Sequence, residues 1–331
     1  MTGSGVLPGR AATRVVFFGS GGFGVAILDA LLAEPRTMVV AVVSTPDRPA
    51  GRSGAPRPTP VSARAREIGL PLLQPARLRS PGVVAELAAT GADLGVLADY
   101  GRIVPPSILT LPPHGILNVH PSLLPKHRGA TPIPATILAG DAVAGVSIIR
   151  MDEGLDTGPI VAARSWPLGG DETAPEVEAE AARVGAALLV DVLPGWVEGR
   201  LTAIPQEDRG ATMTRPLSRD DGRLDPSRPA AVLERAVRAL RPWPGTFVEL
   251  DGLRLIVLAA SVAPAGEGDR PGKVVGDARG LALATTEGRL VLEEVQPPGG
   301  RPMSGAAFLR GRGRHLVAAA SRAGDDDAAT P

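Results

Sequence analysis

Cysteine is absent from the 331 residues, which excludes disulfides, thiolate metal sites and cysteine nucleophiles. Lysine is almost absent. Of the 35 basic residues only Lys126 and Lys273 are Lys, an Arg bias that reflects genome base composition rather than function. Neither sign of charge is in excess, with Lys+Arg 35 against Asp+Glu 35, so no global basic field points to tight binding of bare nucleic acid. No apolar run is long enough to span a membrane, and Met1 to Thr13 lack the apolar stretch of a signal peptide. A cytoplasmic protein making no use of a membrane is the expectation, of a size that fits two domains.

What is present begins as an α/β pattern. Arg14 to Phe18 is a β-branched and aromatic run that reads as a buried first strand, followed by Gly19, Gly21 and Gly24. A helical pattern from Val25 to Glu34 and a second apolar strand from Met38 to Ser44 complete a βαβ unit and imply a parallel sheet. The glycines fit the dinucleotide fingerprint in spacing, but the acid that should end the second strand is replaced by Ser44-Thr45-Pro46, with Asp47 beyond it in a turn. A tight strand-to-helix turn needs glycine whatever it binds. The loop from Thr45 to Pro60 is dense in Pro, Gly and Arg, and Arg48, Arg52 and Arg57 can grip phosphate or simply face solvent. Helices are expected at 61–68 and 82–89, with strands at 71–73 and 93–98; the last ends at Asp99-Tyr100-Gly101, an edge that usually frames a site in parallel sheets.

The next strand, Ile116 to His120, turns polar at alternate positions and then breaks at Pro121. Residues two apart share a face, so Asn118 and His120 point the same way from its end. An amide and an imidazole there can polarise a carbonyl and manage a proton, or they are incidental loop polars. Strand-like runs at 145–150 and 159–166 bracket Met151-Asp152-Glu153-Gly154-Leu155-Asp156-Thr157-Gly158, whose spacing does not match an EF-hand. Asp156 gains meaning if this loop folds beside His120; otherwise it is a turn former. A long helix from Ala174 follows, and periodicity then fades from Gly199 to Arg219. Beyond a helix at 229–240, five short strands with turn punctuation suggest a small barrel, and residues 206–318 carry 17 Lys+Arg against 14 Asp+Glu. The expected organisation is a tail at 1–13, a first domain at 14–205, a linker at 206–227, a barrel at 228–318 and a tail at 319–331.

The run from Asn118 through Pro121-Ser122-Leu123-Leu124-Pro125 to Gly129, with Met151 to Gly158, resembles the signatures of folate-dependent formyltransferases. Pro46 to Arg52, Leu217 to Asp225, Arg241-Pro242-Trp243-Pro244-Gly245 and Gln296 to Met303 extend the likeness over about Arg14 to Arg314. They are similar to the branch of that family whose acceptor is initiator methionyl-tRNA. The resemblance implies a Rossmann-like formyltransferase domain with a parallel-rich sheet, joined to an OB-like barrel that binds tRNA. It implies 10-formyltetrahydrofolate as formyl donor, with no metal and no NAD, and a monomer is expected. Carried across, it makes Asn118, His120 and Asp156 catalytic. Ser122, Leu123, Leu124 and Pro125 become one wall of a folate pocket, with Tyr100, Gly101 and Ile103 opposite. Arg48 and Arg52 match a loop that meets the tRNA acceptor stem, although Ser53-Gly54-Ala55-Pro56 stands where lysines often follow. Pro226 stands where the family usually has Trp, and Gly21-Gly22 replaces a Pro-containing turn.

Three other readings stay open on the residues alone. One is a formyltransferase for another amine, such as an amino sugar nucleotide or a peptide-bound amine. A nicotinamide-dependent oxidoreductase rests on Gly19, Gly21 and Gly24. A non-catalytic RNA-binding barrel has only Trp243 and Phe247 near its start for base stacking.

Overall fold

The computed structural model describes residues 12–49, 56–277, 280–314 and 316. By contact the chain divides into two units. The first runs to Pro132 and takes in Val143–Pro167 and Glu178–Thr214. The second comprises Ile133–Ala142, Leu168–Val177 and the chain from Arg215 onward.

The first unit is built on strands β1 (Thr13–Gly19), β2 (Thr37–Val43), β3 (Leu72–Leu73), β4 (Leu94–Ala98), β5 (Ile116–His120), β6 (Val143–Arg150) and β7 (Ile160–Pro167). Their order is β7-β6-β5-β4-β1-β2-β3. From β5 to β3 every pairing is parallel, and β6 and β7 add an antiparallel edge. The period of two is read directly in the two cores. Val15 and Phe17 of β1 bury on one face with α1 (Gly22–Ala33), whereas Val16 and Phe18 bury on the other. Full burial of each such side chain contributes about 1.5–3 kcal/mol, and a strand buried on both faces reads as the unbroken apolar run seen here.

The glycines after β1 are explained by packing. A Cβ on Gly24 would lie 2.8 Å from the Ala98 carbonyl oxygen, and one on Gly19 would lie 2.9 Å from the same atom. Helix α1 therefore reaches the sheet only where side chains are missing. Asp47, half-buried, is already engaged, accepting from the Gln74 side-chain amide at 2.7 Å, Arg66 at 2.9 Å and the Ser62 hydroxyl at 3.3 Å. It is not presented to a ribose. Arg48 is exposed and pairs across an antiparallel bridge with Arg57, while Arg52 lies outside the described residues.

The second unit carries five strands in one half-barrel sheet: β8 (Thr246–Leu250), β9 (Leu253–Ala263), β10 (Val274–Asp277), β11 (Gly280–Ala284) and β12 (Arg289–Gln296). Their order is β8-β9-β12-β11-β10, with Met303–Ser304 paired to β12. Helix Ala230–Ala239 packs on β9 and β12 through Leu233, Ala236 and Val237. Residues 133–142 and 168–177 join this unit although they lie far earlier in the chain. Among the described residues no helix is long and apolar enough to cross a membrane.

Candidate active site

Strand β5 delivers the two polar side chains. Leu117 and Val119 enter the core under α1, so alternation sends Asn118 and His120 to the opposite face. Asn118 pairs with Leu97 of β4 on one side and Ile149 of β6 on the other, and His120 pairs with Ser147. Both side chains are buried, at 5% and 4% exposure.

The chain leaves β5 through a turn tied down by its own polar groups. Ser147, fully buried, accepts from the Leu124 backbone N–H at 3.1 Å and donates to the Ser122 carbonyl at 2.8 Å. The Ser122 hydroxyl donates to the Lys126 carbonyl at 2.7 Å. Of the residues the resemblance places at a folate pocket, Ser122 therefore uses its hydroxyl within the turn, and Leu124 is buried. On the opposite segment Ile103 is 81% exposed, and Gly101 takes a left-handed φ of 70°. Tyr100 turns its ring into the core, edge-on to Phe18 at 5.8 Å, so only its backbone faces the site. Among the described residues its hydroxyl has no partner, and burial pushes the phenol up to about 12.

Asp156 arrives on the loop after β6. Its φ of 55° is left-handed, a conformation Asp adopts more readily than most residues. One carboxylate oxygen accepts from the Asn118 amide at 3.1 Å and the other from the Gly129 N–H at 2.7 Å. That second oxygen lies 3.7 Å from His120 Nδ1. His120 Nε2 in turn donates to the His127 carbonyl at 3.0 Å. The three side chains thus converge, and the hydrogen bond at Nε2 places a proton there, so that in the neutral imidazole the bare nitrogen is Nδ1, facing Asp156. Burial pulls the His120 pKa below the usual histidine value, with Asp156 opposing it.

Gln206 and Arg128 complete the arrangement. The Gln206 amide donates to the carbonyls of Asp156 at 2.8 Å and Gly158 at 2.7 Å, while its oxygen accepts from Arg128 Nε at 3.0 Å. A Cβ on Gly158 would lie 1.9 Å from the Arg150 carbonyl oxygen, so the loop folds back this tightly only with glycine there. Met213–Thr214 then pairs parallel with Arg128–Gly129. Gln206 stands in a stretch without periodicity, ~50 residues from its partner, and sequence spacing carries no signal for it. Gln206→Ala should lower kcat roughly tenfold to a hundredfold through misplacement of Asp156, while KM for the donor changes little. Equal kcat in the two proteins would show that the loop holds itself.

Asp99, at the end of β4, also has a left-handed φ of 49°. Its carboxyl packs where a Gly21 side chain would otherwise stand. Asp99 stays exposed as a residue, but desolvation of its carboxyl where it packs on the Gly21 backbone, with the Glu178 carboxylate adding to it, raises its pKa to about 6. The folded state therefore holds this proton more tightly than the unfolded chain. Stability is lost as pH rises from the unfolded value of ~3.9 through that folded value. Asn tolerates the same φ and carries no charge, so Asp99→Asn should raise the unfolding midpoint at pH ~8 and leave it unchanged near pH ~3. A gain of the same size at both pH values would assign the effect to the backbone.

With this geometry in place, comparison with known proteins fixes the relationship. Residues 13–193 match the formyl transferase family and residues 216–313 the formyl transferase C-terminal domain. The chain is 46% identical over 300 residues to methionyl-tRNA formyltransferase of Chloroflexus aggregans, covering 90% of this chain and 97% of that protein. Identity to the Thermus thermophilus enzyme of the same name is 45% over 302 residues, covering 91% and 96%. In fold the chain is similar to an N-formyltransferase from Helicobacter canadensis solved with folinic acid and dTDP-3-aminofucose. That match has a TM-score of 0.60 and 12% identity, and covers 84% of this chain and 97% of that one. HypX from Aquifex aeolicus in complex with tetrahydrofolic acid matches with a TM-score of 0.57 and 16% identity, covering 90% and 47%. Two matched domains and nearly half-identical relatives over almost their whole length lead to one conclusion: the chain belongs to the methionyl-tRNA formyltransferase family.

Proposed function

We propose that this protein transfers the formyl group of 10-formyltetrahydrofolate to the amino group of initiator methionyl-tRNA, and that Asn118, His120 and Asp156 carry the chemistry. The observation behind these roles is the convergence of all three, with His120 Nδ1 opposite the Asp156 carboxylate. The methionine amine attacks the formyl carbon and its carbonyl oxygen becomes an oxyanion. Asn118 Nδ2 has one N–H on Asp156 and a second to place on that oxygen. The attacking nitrogen gives up a proton, which His120 Nδ1 accepts, and the imidazolium is then balanced by Asp156 and the His127 carbonyl. Collapse breaks the bond between the formyl carbon and N10, and the same proton goes to N10. Formylmethionyl-tRNA and tetrahydrofolate are the products.

Fixed hydrogen bonds at Nε2 of His120 and at both oxygens of Asp156 mean little reorganisation accompanies the charge transfer. Arg48 and the Arg52 loop serve the tRNA acceptor end in this reading, and the C-terminal half-barrel the rest of the tRNA. The protein works as a cytoplasmic monomer. The deciding experiment offers 10-formyltetrahydrofolate with charged initiator tRNA, uncharged tRNA and an amino sugar nucleotide. Formylation of the charged tRNA alone is expected. Preference for the sugar would replace this acceptor.

A further inference from the structure

His127, whose carbonyl holds the His120 ring, is itself buried and has a left-handed φ of 59°. For a residue with a Cβ this backbone is disfavoured by a factor of roughly five to thirty, so contacts must hold it. They are found at the four polar groups of the two peptide planes that flank His127. The Lys126 carbonyl accepts from the Ser122 hydroxyl at 2.7 Å, and the His127 carbonyl accepts from His120 Nε2 at 3.0 Å. The two N–H groups, of His127 and Arg128, both go to Thr212, which lies 85 positions beyond His127 in the chain. Thr212 takes the first on its hydroxyl at 2.8 Å and the second on its carbonyl at 2.9 Å. Its own N–H donates back to the Pro125 carbonyl at 3.3 Å. The Thr212 hydroxyl also lies 3.4 Å from His127 Nδ1, so one oxygen bears on both the backbone and the ring of His127.

The backbone rotation at His127 decides where its carbonyl points. Relaxed to the right-handed or extended form, that carbonyl swings away from His120 Nε2. The imidazole then loses the acceptor that keeps its proton on Nε2, and Nδ1 takes the proton instead, donating it to the Asp156 carboxylate 3.7 Å away. In that tautomer no basic nitrogen faces the site. We propose that Thr212 is a positioning residue for formyl transfer: its hydroxyl locks His127 in the left-handed form and so keeps the proton of neutral His120 on Nε2. This deepens the formyl-transfer reading and rests on it for the role of His120. Thr212 is exposed as a residue, so trimming it opens no cavity in the core. Water can replace its hydroxyl as an acceptor for the His127 N–H, but a mobile water does not fix the rotation.

The test compares the wild type with Thr212→Val, which keeps the shape and loses the hydroxyl, with Thr212→Ala, and with Thr212→Ser, which keeps the hydroxyl. Ring-nitrogen NMR shifts of histidine-labelled protein at pH ~8 read the tautomer of His120, its signals assigned by their loss in His120→Gln. The wild type and the serine variant should carry the proton on Nε2, and the valine variant should show both tautomers. In the valine and alanine variants kcat should fall about five- to thirtyfold, the disadvantage of the left-handed backbone, with KM for donor and tRNA little changed. Serine should recover most of the rate. A valine variant with the wild-type tautomer and kcat overturns the proposal. So does an equal loss in the serine variant, which would assign the effect to the methyl group. Should valine unfold the protein, the alanine and serine variants make the same comparison. A shifted tautomer with unchanged kcat would leave Thr212 in this role and instead remove His120 as the base of the formyl-transfer reading.

Discussion

Asp156→Asn should lower kcat roughly a thousandfold while leaving the unfolding midpoint and donor binding close to those of the wild type. The substitution is chosen to keep shape. Asn accepts a left-handed φ as Asp does, and it fills the same volume. What changes is the pattern of donors. The aspartate accepts from Asn118 on one oxygen and from the Gly129 N–H on the other. An amide can satisfy one of these and must turn an NH2 group towards the other donor. Either Gly129 or Asn118 must answer, and Asn118 can do so by turning its side-chain amide, whereas the Gly129 N–H is fixed in the backbone. The oxyanion donor is then misplaced, and an imidazolium at His120 has no counter-charge. A single-turnover measurement of formyl transfer checks this. A loss below tenfold would remove the carboxylate charge from the mechanism.

The second large effect is expected at His120. His120→Gln preserves a side-chain N–H that can reach the His127 carbonyl, so the buried anchor of the turn survives. It removes the basic nitrogen facing Asp156. General acid–base contributions are typically a hundred- to ten-thousandfold, and kcat should fall within that range. The pH profile distinguishes this from simple loosening. In the wild type burial lowers the His120 pKa, so the neutral base persists below the ordinary histidine value and the rate falls only at lower pH. That acid limb should disappear in the variant. An acid limb in the variant at the wild-type position would belong to another group.

The two effects are coupled through one contact, the 3.7 Å approach of Nδ1 to the carboxylate. The double variant should therefore be little worse than the poorer single variant, as expected for groups acting as a unit. Their shared dependence also explains why the Asp156 loop is held from behind. Gln206 takes two carbonyls of that loop with one amide group and passes its oxygen to the buried Arg128. A loop of acids and glycines without such a brace would sample many conformations.

Much of this was legible in the residues. The central strands of the first unit follow from apolar runs bounded by glycine and proline, because burial on both faces leaves no room for polar side chains, while the partly exposed strands of the second follow from shorter runs between turn residues. The pairing of Asn118 with His120 on one face follows from a period of two that no tertiary contact can change. Gly24 reads as a nucleotide-loop glycine by spacing alone, and its reason lies in the Ala98 carbonyl it packs against. Tyr100 reads as a pocket residue by position and is a core residue by orientation, since one turn of backbone sends its ring towards Phe18.

By itself, then, the sequence determined the order of elements, the polar pair at the end of β5, the acidic loop and the family. These are properties of neighbours along the chain, where spacing dictates direction. Tertiary structure alone decided that Asp156 meets His120, that Gln206 braces them, that residues 133–142 and 168–177 join the second unit, and that Thr212 bonds to His127. Each of these joins segments distant in sequence. Their closeness comes from strand pairing and loop packing, for which local periodicity has no signal.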